Sequence, residues 1–142
     1  MRTDFNPPTD PAAYPFVHQV RVRFAETDAM GVVHHAAYLP YLEDARVAYL
    51  RSVGHPYAAV RDDGMELPVV EVAVRYLRPL RFDDLVQVHL VPASVTGATF
   101  QIGYLLATAG QTAATAVTVH GITVGGRPAR APAWLAGLVD GG

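Results

Sequence analysis

Apolar and polar residues alternate from Val20 through Arg21, Val22 and Arg23 to Phe24, which is the two-residue period of a strand with one buried face. That strand is expected to end before Asp28. Beyond Gly31 the period changes, because Tyr38, Tyr41, Leu42, Ala45, Tyr49 and Val53 recur at the spacing of one helix face. A polar turn must therefore join strand to helix. Further on, Val70, Val72, Val74 and Tyr76 alternate with Glu71, Ala73 and Arg75, and Val86, Val88 and Leu90 alternate with Gln87 and His89. Two more strands are expected over Thr99 to Ala107 and Ala113 to Val124, rich in Thr, Val, Ile and aromatics and separated by the hairpin-like Ala109-Gly110-Gln111. Thr96-Gly97 marks another turn, and Gly125-Gly126-Arg127-Pro128 is expected to end the last strand. One long helix followed by runs of strands predicts an α+β arrangement, an antiparallel sheet of about five strands with the helix on one face.

The chain has 142 residues, 51% of them hydrophobic, enough for one core. Apolar stretches stop well short of the roughly 20 residues a spanning helix needs, and Met1 to Pro15 lacks an apolar signal core, so a cytoplasmic protein without a membrane span is expected. Pro7, Pro8, Pro11 and Pro15 mark residues 1–16 as a flexible arm. The domain then occupies 17–130, and 131–142 form a tail whose Pro132 to Val139 stretch suits a short helix.

Several chemistries are removed by composition. There is no cysteine, so thiol nucleophiles, disulfides and Cys-based metal sites are absent. All eleven basic residues are arginine, which excludes lysine Schiff bases. Ser52 and Ser94, the only serines, lie outside any GxSxG pattern. A net charge of −2 argues against a nucleic-acid partner bound through an overall basic surface. His34 and His35 are adjacent and lack a metal-binding spacing, so no metal site is assigned. Carboxylate chemistry remains, and Asp28 sits just ahead of the helix. Taken alone, Asp28 reads as a turn or capping aspartate, and Glu43 with Arg46 as an ion pair three residues apart on a helix flank.

The string Asp28-x-x-Gly31-x-Val33-x-His35-x-x-Tyr38-x-x-x-x-Glu43-x-Ala45-Arg46 resembles the signature of the hotdog-fold acyl-CoA thioesterases of the 4-hydroxybenzoyl-CoA thioesterase family. The likeness extends over residues 17 to 130, including Arg75-Tyr76-Leu77-Arg78-Pro79 followed by Phe82-Asp83-Asp84. The resemblance implies a single hotdog domain that hydrolyses a short- to medium-chain or aromatic acyl-CoA to the free acid and coenzyme A, the coenzyme being part of the substrate and no cofactor being needed. By the same resemblance Asp28 acts as nucleophile or general base, the His35 backbone N–H holds the thioester oxygen, and Gly31 closes the turn. Val33, Tyr38, Pro68, Val69, Val70, Arg75 and Arg78 are implied to contact substrate, and Glu43 and Arg46 to serve structure or the subunit interface. A homodimer or homotetramer is implied too. A non-catalytic acyl-CoA or acyl-carrier binding module and a hotdog hydratase or dehydratase are the alternatives.

Three positions depart from the family pattern. Pro40 disfavours helix at Leu39, so regular helix is expected from near Leu39, with 35–38 as a separate turn. Val95-Thr96-Gly97-Ala98 is neutral where one branch carries phosphate-binding basic residues, and Phe24 stands where close relatives often have tyrosine.

Overall fold

Val86, Val88 and Leu90 are all fully buried while Gln87 and His89 between them are only partly so, which is the alternation their sequence predicted. They lie on β4 (Leu85–Thr96) in the computed structural model of the chain, which describes residues 5–140. Burying each such side chain stabilises the fold by about 1.5–3 kcal/mol. With β1 (Phe16–Arg21), β3 (Val69–Tyr76), β5 (Thr99–Thr108) and β6 (Gln111–Gly121), β4 forms one antiparallel five-stranded sheet in the order β1-β4-β5-β6-β3. Between β5 and β6 the chain turns through Ala109 and Gly110, both at positive φ (52° and 77°), the conformation that a two-residue hairpin connection requires.

Helix α1 (Tyr38–Ser52) buries Tyr38, Tyr41, Leu42, Ala45, Tyr49 and Leu50 against the sheet. It begins one residue before the expected Leu39, behind a separate 3-10 turn at His35–Ala37. Pro40 is tolerated because the first N–H groups of a helix have no intrahelical acceptor to lose. Val53 caps the helix rather than continuing its buried face. The first strand is also displaced: it ends at Arg21, and Phe24 enters a 3-10 turn (Phe24–Glu26) and is 74% exposed, its ring edge-on to Phe82. Here a local cap overrides alternation, since the Arg23 N–H is taken by the Glu26 carboxylate at 2.8 Å and no longer serves a sheet ladder.

Short elements unmarked by periodicity complete the fold: α2 (Tyr57–Asp62) and a small sheet of β2 (Met65–Glu66), β7 (Thr123–Val124) and β8 (Arg127–Pro128). Gly125 and Gly126 thus turn the chain back into β8 instead of ending strand structure. Within the segment read as a flexible arm, Phe5 covers Gly103, where any Cβ would collide with its ring, and Tyr14 is buried against Leu105 and Ala107. Residues 1–4 and 141–142 lie outside the described part. At the other end α3 (Ala133–Asp140) sets Trp134 flat on His55, ring centroids 3.9 Å apart, and buries Leu135 completely. No helix among the described residues is long and apolar enough to cross a membrane.

A directed hydrogen-bond chain crosses the core. The Leu67 carbonyl can only accept, so His120 Nδ1, at 2.9 Å, carries the proton donated to it. Burial, aided by the Arg46 charge and opposed by the Leu67 carbonyl, pushes the His120 pKa down to about 4 and keeps the ring neutral. Its Nε2 therefore accepts from the Thr118 hydroxyl at 2.8 Å, and Thr118 in turn accepts from Tyr104 at 2.7 Å. Arg46 closes the chain, donating from Nη1 to the Tyr104 oxygen at 3.4 Å. Arg46 is thus turned inward, and the expected Glu43–Arg46 ion pair is not among those formed by the described residues.

Replacing Leu135 by alanine is expected to lower the unfolding free energy by about 2–4 kcal/mol in urea titrations, and an unchanged midpoint would show that α3 is no part of the core. His120 gives a pH-dependent prediction. Its folded pKa lies below the unfolded value near 6.5, so its contribution is complete above that value and is lost as pH falls from about 6.5 to about 4. The loss should be on the order of 3 kcal/mol. Urea unfolding of wild type and His120→Gln between pH 7 and 4 tests this, the variant declining less; parallel declines would contradict it.

Candidate active site

The residues around Asp28 fold into a miniature hairpin. Residue 34 donates its N–H to the Glu26 carbonyl at 2.9 Å, Thr27 bridges Val33, and the Asp28 N–H donates to the Val32 carbonyl at 2.9 Å. The tip is closed by Asp28-Ala29-Met30-Gly31, with the Gly31 N–H on the Asp28 carbonyl at 3.0 Å and Gly31 at φ 79°, a left-handed conformation that a β-carbon would strain. This hairpin is fastened to the body from two sides. The Val33 N–H donates to the Leu80 carbonyl at 2.8 Å, and Val32 bridges Arg81. On the helix side the Tyr41 hydroxyl donates to Glu26 Oε1 at 2.6 Å.

Glu26 is the anchor of this arrangement. Its Oε1 also accepts from the Arg23 N–H, and Oε2 accepts from Arg23 Nε and Nη2 at 3.1 and 3.0 Å. Burial pushes its pKa up, but the bonds from Tyr41 and Arg23 and the Arg23 charge outweigh that and leave it below the ordinary carboxylate value. The carboxylate is held ionised. Periodicity gives no sign of this pairing and places Tyr41 only on the buried helix face, because the pair spans fifteen residues and obeys no local period. Only the Arg23-x-x-Glu26 spacing of a capping box hinted at it.

Asp28 is exposed at the hairpin tip. Its Oδ1 accepts from the N–H groups of Met30 at 2.8 Å and Val32 at 3.3 Å, so the turn-aspartate reading is correct for that oxygen. Among the described residues Oδ2 takes part in none of the hydrogen bonds found. His34 caps the following 3-10 turn, its Nδ1 accepting from the Ala36 N–H at 3.1 Å. His35 opens that turn, and its N–H enters no hydrogen bond found among the described residues. Tyr76 from β3 fixes His35 from outside, stacking ring on ring at 4.5 Å and donating its hydroxyl to the His35 carbonyl at 3.2 Å. Alternation along β3 places Tyr76 only on a sheet face and gives no sign of its contact with His35.

The other expected contact residues divide. Val33 and Tyr38 are buried in the core, Tyr38 meeting Tyr76 edge-on at 4.9 Å. Val69 and Val70 are exposed, by 43% and 52%, at the start of edge strand β3, while the Pro68 carbonyl accepts from the Gly121 N–H. Arg75 alternates with Tyr76 and lines a groove with Phe5 on the opposite face of the sheet, away from His35. Arg78 is exposed beyond the strand end, its N–H on the Ala113 carbonyl. Glu43 is exposed on α1, and Arg46 belongs to the core chain already described. No group of three or more His, Cys, Asp or Glu side chains able to hold a metal occurs among the described residues.

The chain is similar to known proteins in sequence and in fold. The model of the thioesterase-like superfamily matches residues 22–138. Haemophilus influenzae acyl-CoA thioesterase YbgC is 38% identical over 85 residues, covering 59% of this chain and 62% of that protein. Among solved structures, a hypothetical protein from Aquifex aeolicus superposes with a TM-score of 0.84 at 36% identity, covering 88% of this chain and 99% of the other. A thioesterase from Thermus thermophilus, complexed with coenzyme A and Zn, superposes with a TM-score of 0.78 at 26% identity, covering 90% and 93%. These likenesses agree with the expected α+β hotdog architecture and with a thioester-hydrolysing enzyme. On its sequence and its fold, the chain belongs to the thioesterase-like superfamily.

Proposed function

We propose that this chain hydrolyses an acyl-CoA to the free acid and coenzyme A, with Asp28 as the reacting carboxylate. The observation that carries this reading is the state of Asp28, which spends one oxygen on its own turn while the other takes part in no hydrogen bond found among the described residues. A thioester suits such a group, because its carbonyl is electrophilic and its thiolate departs readily. Asp28 attacks the carbonyl to give a mixed anhydride, or takes a proton from the attacking water. The His35 N–H, at the head of its turn, receives the oxygen as negative charge develops on it. Tyr76 keeps the His35 peptide in place.

A single copy leaves this site open. Asp28 and His35 are exposed, and so are the apolar Met30, Leu39, Val69 and Val70. Among the described residues strand β3 stands at the edge of the sheet, and an edge strand is a template for another strand. Pairing of β3 with β3 of a second copy covers the edge and excludes water from the site.

Asp28→Asn is expected to lower kcat for thiol release at least about 100-fold across a panel of acyl-CoA substrates. Wild-type turnover in that variant would remove Asp28 from the chemistry. For the subunit contact, Val72→Lys on the β3 edge should convert a dimer to a monomer in light scattering after gel filtration and reduce thiol release with it. A monomeric wild type would contradict the paired edge.

A further inference from the structure

The hairpin that carries Asp28 is fastened unevenly. Its second strand is tied to the sheet side, because the Val33 N–H donates to the Leu80 carbonyl at 2.8 Å, Val32 bridges Arg81 and the Val33 side chain is buried. His35 follows directly, and Tyr76 holds its peptide from the same side. The first strand is held by a single bond. Among the hydrogen bonds of the described residues, only the one from the Tyr41 hydroxyl to Glu26 Oε1, at 2.6 Å, links residues 24–28 to any part of the chain outside 23–34. Phe24 adds an edge-on contact with Phe82, but both rings are exposed and little apolar area is buried there. Resting on the thioesterase reading, we propose that Tyr41 is a positioning residue of the reaction, which through Glu26 holds Asp28 at its working distance from the His35 N–H.

The two reacting groups are set by separate routes, His35 from the sheet and Asp28 from α1. Glu26 is where the routes meet. Its carbonyl accepts the His34 N–H at 2.9 Å, so the residue whose carboxylate takes the Tyr41 bond also closes the hairpin beside His35. A shift of Glu26 therefore moves Asp28 relative to His35 while leaving both groups chemically intact, and a misplacement of about 1 Å can cost about 100-fold in rate. The bond has one direction. Burial, followed by the Glu26 bond and charge, pushes the Tyr41 pKa up and keeps the phenol a donor, while Glu26 stays ionised and only accepts. Such a bond from a hydroxyl to a carboxylate is roughly twice as strong as one between neutral groups. The Tyr41 ring is itself buried, tilted against Tyr38 at 6.1 Å, so its hydroxyl has a fixed seat. A glutamine at 26 would keep one oxygen for Tyr41 and turn its amide toward the Arg23 guanidinium, which is exposed and free to swing into water.

Tyr41→Phe removes one hydroxyl and leaves Glu26 paired with Arg23. Its kcat for thiol release, from octanoyl-CoA or benzoyl-CoA, whichever wild type turns over faster, is expected to fall about tenfold to 100-fold with KM within about twofold. Glu26→Ala should lose as much, and Glu26→Gln should recover at least about tenfold of that loss. Adding Tyr41→Phe to Glu26→Ala should cost nothing further, since both remove the same tie. Wild-type kcat in Tyr41→Phe would overturn the proposal. So would equally slow glutamine and alanine variants, or a loss in Tyr41→Phe confined to KM. If wild type releases thiol from neither ester, or Asp28→Asn matches wild type, the catalytic reading fails separately. Amide hydrogen exchange followed by NMR then tests the placement by itself. In Tyr41→Phe the Asp28 and His34 amides, which close the hairpin, should exchange about tenfold faster, while the Val33 amide, held by Leu80, keeps its rate. Unchanged exchange at all three would overturn the placement, and equal acceleration at all three would do so by assigning Tyr41 to general stability.

Discussion

The carboxylate of Glu26 joins three parts of the chain at one point: the end of β1 through Arg23, the hairpin that carries Asp28, and α1 through Tyr41. Hydrogen bonds to a charged group contribute about 1.5–3 kcal/mol each, and leaving such a carboxylate half-buried without them costs more. The arrangement is therefore close to all-or-none. With Glu26 satisfied, the backbone of residues 26–34 closes into its hairpin, Asp28 stands at the tip, and His35 enters the turn before α1 at a set angle. The Leu80 carbonyl and the stacked ring of Tyr76 complete the clamp from the sheet side.

A second constraint is the off-centre seat of α1. Its aromatic face meets β1 and β4, with Tyr49 edge-on to Phe16 at 5.3 Å, and this leaves the β3 side of the sheet uncovered. Three features share that side: the cavity holding Arg46, the free edge of β3, and Tyr76 against His35. All three therefore lie along one seam of the molecule. Phe5, Tyr14 and the intervening prolines lie across the opposite face of the sheet.

Much of this was legible in the chain itself. Alternation located β3 and β4, β-branched and aromatic content with a hairpin turn located β5 and most of β6, and the helical spacing from Tyr38 to Tyr49 located α1, because each signal is set by backbone geometry acting over a few residues. The loop motif singled out Asp28, Gly31 and His35, whose backbone settings are local: a turn closed at positive φ, and the head of a 3-10 turn. Where a local cap competed with alternation, as at Arg23 and Phe24, the periodic reading ran the strand too far. The two-residue strands β2, β7 and β8 were too short to show any period.

Thus the sequence alone determined the order of the long strands and the helix and the loop motif, because each depends on residue type and near-neighbour spacing. Tertiary structure decided the rest. Tyr41 reaches Glu26 across fifteen residues, Tyr76 reaches His35 across forty-one, and Arg46 turns from its helical neighbour Glu43 to Tyr104 fifty-eight residues away. Those partners are chosen by sheet register and by where α1 settles on the sheet. The choice is enforced by the cost of burying a polar group unpaired, a cost that arises only once the chain has folded.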